Sequence, residues 1–258
     1  EEEMTQETRP SFRAALSNRK MQMTLGALAL IAGAAGTALA VQAPGSVSTG
    51  DKAAIEKIVH DYILEHPEII PQAIEKLQAK RMEGTIDANR QTIETPYAGA
   101  WEGAANADVT VVEFFDYACG YCRASLPDLA KLVGADAKVK IVYRELPILS
   151  EESSDAAKVS LLAAERNRYM VYHKALYGAG KVTRESIIGA ATQAGITKAD
   201  AEAAMASSKY DAELQSNIAL AQKLQASGTP TFVIGNQVLN GAVGYDSLKD
   251  AVTSARGK

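Results

Sequence analysis

Val109-Thr110-Val111-Val112-Glu113-Phe114-Phe115-Asp116-Tyr117-Ala118-Cys119-Gly120-Tyr121-Cys122 changes character halfway along. Its first half is β-branched and aromatic, the composition of a buried strand. After the second cysteine, Leu126, Leu129, Leu132 and Val133 fall on one helical face. A C-x-x-C motif therefore sits where a strand turns into the N-terminus of a helix. That placement has a chemical consequence. A free cysteine, with a pKa of about 8.5, is mostly protonated at neutral pH, and only the thiolate is nucleophilic. Backbone N–H groups and the positive end of the helix dipole stabilise an anion at Cys119. Cys122, one turn further in, is more buried and stays a thiol until it is needed. Such a pair exchanges disulfides: Cys119 enters a mixed disulfide and Cys122 resolves it.

The chain of 258 residues holds two cysteines, and a bridge between them would close too short a loop to constrain an unfolded chain. The pair is a redox centre or half of a metal site. Zinc needs two further ligands. There is no second C-x-x-C, and His173 stands alone in a predicted helix, so neither a metal nor another cofactor is expected. A content of 47% hydrophobic and 22% charged residues allows a sizeable core. A net charge of -4 without a Lys/Arg cluster argues against a nucleic-acid partner.

Arg9, Arg13, Arg19 and Lys20 precede an uncharged run from Thr24 to Val41 centred on Leu25, Leu28, Leu30 and Ile31. Small residues follow, with Ala38-Leu39-Ala40 and Val41-Gln42-Ala43 as A-x-A-like sites. Basic, apolar, then small is the order of a secretory signal, here over residues 1–43. The alternative is a retained N-terminal membrane anchor, because the run lies at the lower limit for spanning a bilayer. Either leaves the remainder in an oxidising compartment, where disulfides persist.

Residues 51–82 carry a helical pattern. Ile55, Ile58, Val59, Tyr62 and Ile63 recur at helical spacing, and Ile70, Ala73, Ile74 and Leu77 repeat it. Pro67 breaks the segment, and Pro71 falls in the first turn of a second helix. So short a segment encloses no core of its own. Its apolar stripes must pack on the rest of this chain or on another copy. Residues 83–108, polar and small, read as a linker, which favours another copy. His60 and His66 are expected at the surface or an interface.

The sequence V-V-E-F-F-D-Y-A-C-G-Y-C-R resembles the active-site segment of the DsbA-like thioredoxin superfamily, most closely its ScsC-like and alphaproteobacterial branch. The resemblance runs over nearly all of residues 51–256. It implies an α/β thioredoxin fold across 109–258, with an inserted helical subdomain at about 153–225 and an N-terminal helical segment before it. Val139 to Leu149 looks like that family's second strand and the turn after it, and 51–82 is similar to the helices that oligomerise ScsC-like proteins. Ser227-Gly228-Thr229-Pro230-Thr231 resembles the cis-proline loop, and an X-Pro bond is the one common site of a cis peptide. The resemblance implies that this loop lies against the reactive sulfur and that the backbone of Thr229 pairs with bound substrate. A trans Pro230 opening an ordinary strand is the alternative.

Glu113 is the odd residue in its strand, since a buried carboxylate is costly and tends to stay protonated. The resemblance implies that it lies beneath Cys122 and helps to move its proton. A structural ion pair with a lysine is the other reading. The dipeptide Gly120-Tyr121 departs from the strongly oxidising members, which carry a histidine there. Uncharged tyrosine offers a thiolate less stabilisation.

The expected function is disulfide exchange with exported cysteine-containing proteins in the periplasm, as isomerase or reductase or as oxidase, with a membrane redox partner that resets the cysteines. The alternative is a chaperone or a copper(I) carrier using the same dithiol, since soft thiolates select copper(I). Equilibration with glutathione should place the couple's potential below that of the strongest oxidants, about -120 mV. A value at or above that level contradicts the reading of the dipeptide.

Overall fold

The computed structural model describes residues 49–257, so the expected signal at 1–43 lies outside the described residues. The chain divides into two units at Pro67. In the first, α1 (Thr49–Glu65) carries Lys57–Asp61 as an i,i+4 ion pair at 2.7 Å. Ile55, Ile58, Val59, Tyr62 and Leu64 are exposed on it, Ile58 to 67%. The helix stops just before Pro67, whose ring and missing N–H cannot continue it.

The second unit opens with α2 (Ile69–Glu94), followed by β1 (Trp101–Gly103), β2 (Val109–Phe115), α3 (Gly120–Ala135) and β3 (Val139–Glu145). Five helices come next: α4 (Glu151–Glu165), α5 (Tyr169–Gly178), α6 (Arg184–Gln193), α7 (Lys198–Ala206) and α8 (Asp211–Lys223). The hairpin of β4 (Thr231–Ile234) and β5 (Gln237–Asn240) and the closing α9 (Gly244–Arg256) complete the unit. The sheet order is β1-β3-β2-β4-β5, with β2 and β3 parallel and the other pairs antiparallel. This is the expected α/β thioredoxin fold, with its helical insertion between β3 and β4.

Both faces of the sheet are covered, which is why β2 reads as an almost unbroken apolar run. On one face Val111, Phe115, Ile141, Tyr143, Phe232 and Ile234 pack with Leu129 and Leu132 of α3, Leu248 of α9 and the inserted helices. On the other face Val112, Phe114, Val142 and Val233 meet Ile86 and Ile93 of α2, Leu220 of α8 and Leu224 just after it.

Here the expected linker at 83–108 is corrected. Residues 83–94 are the last turns of α2, and Ile86 and Ile93 are fully buried on the sheet. They are two turns apart on one helical face, too sparse a stripe among polar neighbours to stand out in the sequence. Arg90 donates to Gly235 O at 3.3 Å and to Asn236 Oδ1, and Asn236 donates to Glu83, so α2 is pinned to the β4–β5 turn. Gly235 serves that turn with φ +57, and a Cβ there would meet Ala255 Cβ at 2.8 Å.

The far end of α2 is held by Arg144, which alternation places on this second face of β3. Its guanidinium donates to the carbonyls of Ile93 at 3.0 Å, Thr95 at 2.8 Å and Thr92, and to Asn217 Oδ1 at 2.7 Å. Glu213 supplies the countercharge at 3.3 Å. Orphaned helix-end carbonyls are thus satisfied by one buried cation. Arg144→Ala should lower stability by about 3 kcal/mol, because it strands buried acceptors and a carboxylate together. Urea unfolding checks this as a lowered midpoint at unchanged m-value.

Candidate active site

Cys119 is the N-cap of α3, at φ -79 and ψ 115, and its sulfur accepts from Cys122 N–H at 3.3 Å. A thiolate at Cys119 therefore gains a backbone donor and the helix dipole without further rearrangement. The Cys119 N–H donates to Asp116 O at 3.0 Å, which fixes the entry into the helix. Across the site the Thr229–Pro230 bond is cis, and Cys119 Sγ–H donates to Thr229 O at 3.2 Å. The sulfur is accordingly more enclosed than its place at a helix start suggests, with Cys119 only 5% exposed and Cys122 fully buried. Tyr121 between them is 71% exposed, and no atom lies within 4 Å of where a Cβ on Gly120 would stand.

Glu113 is buried on the same sheet face as Phe115, and one of its carboxyl oxygens has no hydrogen-bond partner. No ion pair reaches it among the described residues, so the lysine partner considered from sequence is not found. Burial first, then the negative charges of Cys119 and Glu102, push its pKa up to about 8. Burial likewise raises the Cys122 thiol, with the charge of Glu113 adding to the rise. An acid and a thiol that both resist ionisation lie together behind Cys119.

Two features were not legible in the sequence. Asp116 is the first: its buried carboxylate accepts from Ala118 N at 2.8 Å, Ser153 Oγ at 2.7 Å, and Ile148 N and Leu149 N at 2.9 Å each. It ties the cysteine loop to the loop after β3, where Ile148 and Leu149 are exposed. An aspartate accepting from the second residue on is a familiar turn former, and that was the only available signal. His173 is the second. Rather than standing alone, it is enclosed by Phe115, Tyr117, Tyr143, Tyr169 and Tyr177, with Nδ1 3.1 Å from Tyr117 OH. Burial lowers its pKa to about 3, so the ring is neutral. Among the described residues no group of three or more His, Cys, Asp or Glu could hold a metal ion.

A reactive dithiol at a helix N-terminus facing a cis-proline loop defines the class as a thioredoxin-fold redox protein. Residues 110–253 match the DSBA-like thioredoxin domain, and the chain belongs to that family, whose members are thiol–disulfide oxidoreductases. Residues 51–83 match the copper resistance protein ScsC N-terminal domain. A thioredoxin-like oxidoreductase from Silicibacter pomeroyi is 39% identical with a TM-score of 0.62, over 66% of this chain and 99% of that one. A linker-deletion mutant of Proteus mirabilis ScsC is 25% identical with a TM-score of 0.64, over 83% and 99%. The thiol-disulfide exchange protein alpha-DsbA2 from Wolbachia pipientis is 27% identical with a TM-score of 0.62, over 69% and 97%. Among curated proteins, the Na(+)/H(+) antiporter NhaA 1 of Salinispora arenicola is 26% identical over 156 residues, 59% of this chain. The chain spans about a quarter of the length of the curated relatives it matches, 24%.

The raised pKa of Glu113 has a thermodynamic sign. Its folded value of about 8 lies above its ordinary 4.5, so between these the folded state binds more protons than the unfolded one. Its contribution to stability is intact below pH 4.5 and is lost as pH rises towards 8. Glu113→Gln should therefore be more stable than the parent by about 2–3 kcal/mol at pH 7 and nearly equal to it at pH 4.5. Urea unfolding at the two pH values checks this, and equal differences at both refute it.

Proposed function

We propose that this chain is an exported thiol–disulfide oxidoreductase acting on cysteine-containing proteins in the periplasm. The observation that carries the reading is the Cys119 sulfur, capped by Cys122 N–H and placed 3.2 Å from Thr229 O. A substrate chain lying along the Thr229–Pro230 loop brings its sulfur to that point. The Cys119 thiolate attacks a substrate disulfide and forms a mixed disulfide. Cys122 then gives its proton to the Glu113 carboxylate, attacks Cys119 and releases the substrate as a thiolate. Run in reverse, the same steps donate the Cys119–Cys122 disulfide to a substrate. A membrane redox partner resets the pair. The leader expected at 1–43 and the family's chemistry support the periplasmic location. No helix among the described residues is long and apolar enough to cross a membrane.

The direction we favour is isomerase or reductase, in a homo-oligomer held through residues 51–82. The exposed apolar positions of α1 and Ile70, Ile74 and Leu77 of α2 support self-association, as does the match of 51–83 to the ScsC N-terminal domain. That domain belongs to copper resistance proteins, so copper(I) binding by the two thiolates is the competing reading.

Two experiments separate these readings. Cys122→Ser should accumulate mixed disulfides with substrate and lose turnover on scrambled ribonuclease. If it instead keeps the biological role intact, the copper(I) reading gains and disulfide exchange is refuted. Ile58→Lys combined with Tyr62→Lys should dissociate the assembly in sedimentation velocity. Isomerisation should fall at least tenfold, while dithiol reduction of a small disulfide is retained.

A further inference from the structure

Alternation sorts the charges of the sheet. Lys140 and Arg144 of β3 face α2 and α8, Lys140 lying over the Trp101 ring and Arg144 at the end of α2. Tyr143 and Glu145 alternate to the opposite face. The register sets Glu113 of β2 beside Tyr143, Phe115 beside Glu145, and Glu102 of β1 beside Ile141. Glu102, Glu113 and Glu145 thus share one face, and no strand cation of β1, β2 or β3 joins them. Glu113 and Glu145 are sealed in the core, whereas Glu102 on the edge strand is half-buried. Glu102 is also held in place, because the buried Tyr143 hydroxyl donates to its carboxylate at 2.5 Å. A charge on Glu102 opposes a second negative charge at Glu113, whose burial leaves it little water for screening.

We propose that Glu102, tethered by Tyr143, is a charge lock on the buried proton acceptor. Its carboxylate makes Glu113 hold its proton and so sets the pH at which Cys122 resolves the mixed disulfide. This rests on the reading of Glu113 given above. Resolution begins once Glu113 has lost its proton to solvent: Cys122 Sγ–H then passes its proton to the Glu113 carboxylate, and the Cys122–Cys119 bond forms as the Cys119–substrate bond breaks. The substrate sulfur departs with the electron pair, so no outside oxidant is needed. Glu102 neither touches substrate nor takes this proton. It is a positioning residue that acts through charge.

The groups facing Glu113 agree with this role. From β3 come Tyr143 and Glu145, from α3 Cys119 and Cys122, from α5 Tyr177, and from β4 the uncharged Phe232. Burial raises the pKa of Tyr143 and Tyr177 and that of Glu145. His173, packed on Tyr143 and Tyr177, is neutral. Of the carboxyl groups on this face, Glu102 is the one that is partly exposed.

The test is a single-turnover reaction of the reduced full-length protein with a disulfide-bonded peptide, acid-quenched across pH 5.5–9. Glu102→Gln keeps an acceptor for Tyr143 and removes the charge. Its resolution profile should move to lower pH by about half a unit, giving about two- to threefold faster resolution at pH 7. Tyr143→Phe should shift the profile the same way by less, and neither substitution should matter in a Glu113→Gln background. If Glu102→Gln superimposes on the parent while Glu113→Gln flattens the profile, the lock is overturned and the role of Glu113 stands. If Glu113→Gln also keeps the parent profile, both fall.

Discussion

Glu113 and Cys122 are enclosed on one face of a sheet whose cations point the other way, and much of the structure depends on that confinement. A carboxyl group buried without a cation stays neutral at ordinary pH. A thiol buried beside it keeps its proton for the same reason. The asymmetry between the two cysteines follows. Cys119 meets backbone donors at a helix start, whereas Cys122 meets an apolar interior and an acid. The site needs nothing more exotic than burial on one side and a helix dipole on the other.

Keeping that interior closed falls to elements far from the sulfurs. The helix α2 seals the opposite face of the sheet, fixed at its C-terminal end by Arg144 and further back by Asn236, which meets Arg90 and Glu83. The inserted helices close the catalytic face through an aromatic shell around His173. Asp116 joins these layers, since its backbone carbonyl accepts from Cys119 N–H and from Tyr177 OH, while its carboxylate holds Ile148 and Leu149. Displacing any of these admits water to the acid and the thiol, and their reluctance to ionise weakens with it.

Local features of this design were open to a reader of the sequence. The strand–C-x-x-C–helix order needed only composition and spacing, and Glu113 stood out as a carboxylate in an apolar strand. What depended on long-range pairing stayed hidden. That Glu102 shares a sheet face with Glu113 follows only from the β1–β3–β2 register, and three of the four partners of the Asp116 carboxylate lie over thirty residues from it. His173 looked solitary because its neighbours come from β2, β3 and its own helix. The extension of α2 through 83–94 was masked by a polar stretch in which two isoleucines carry the packing. Exposed apolar positions in α1, by contrast, show as a helical stripe in either medium.

The most direct measurement is infrared difference spectroscopy of the reduced protein against Glu113→Gln, from pH 5.5 to 9.5. A protonated-carboxyl band assigned to Glu113 is expected at pH 7, titrating near pH 8 and absent from the variant. A Glu113 already ionised at pH 6 would contradict it.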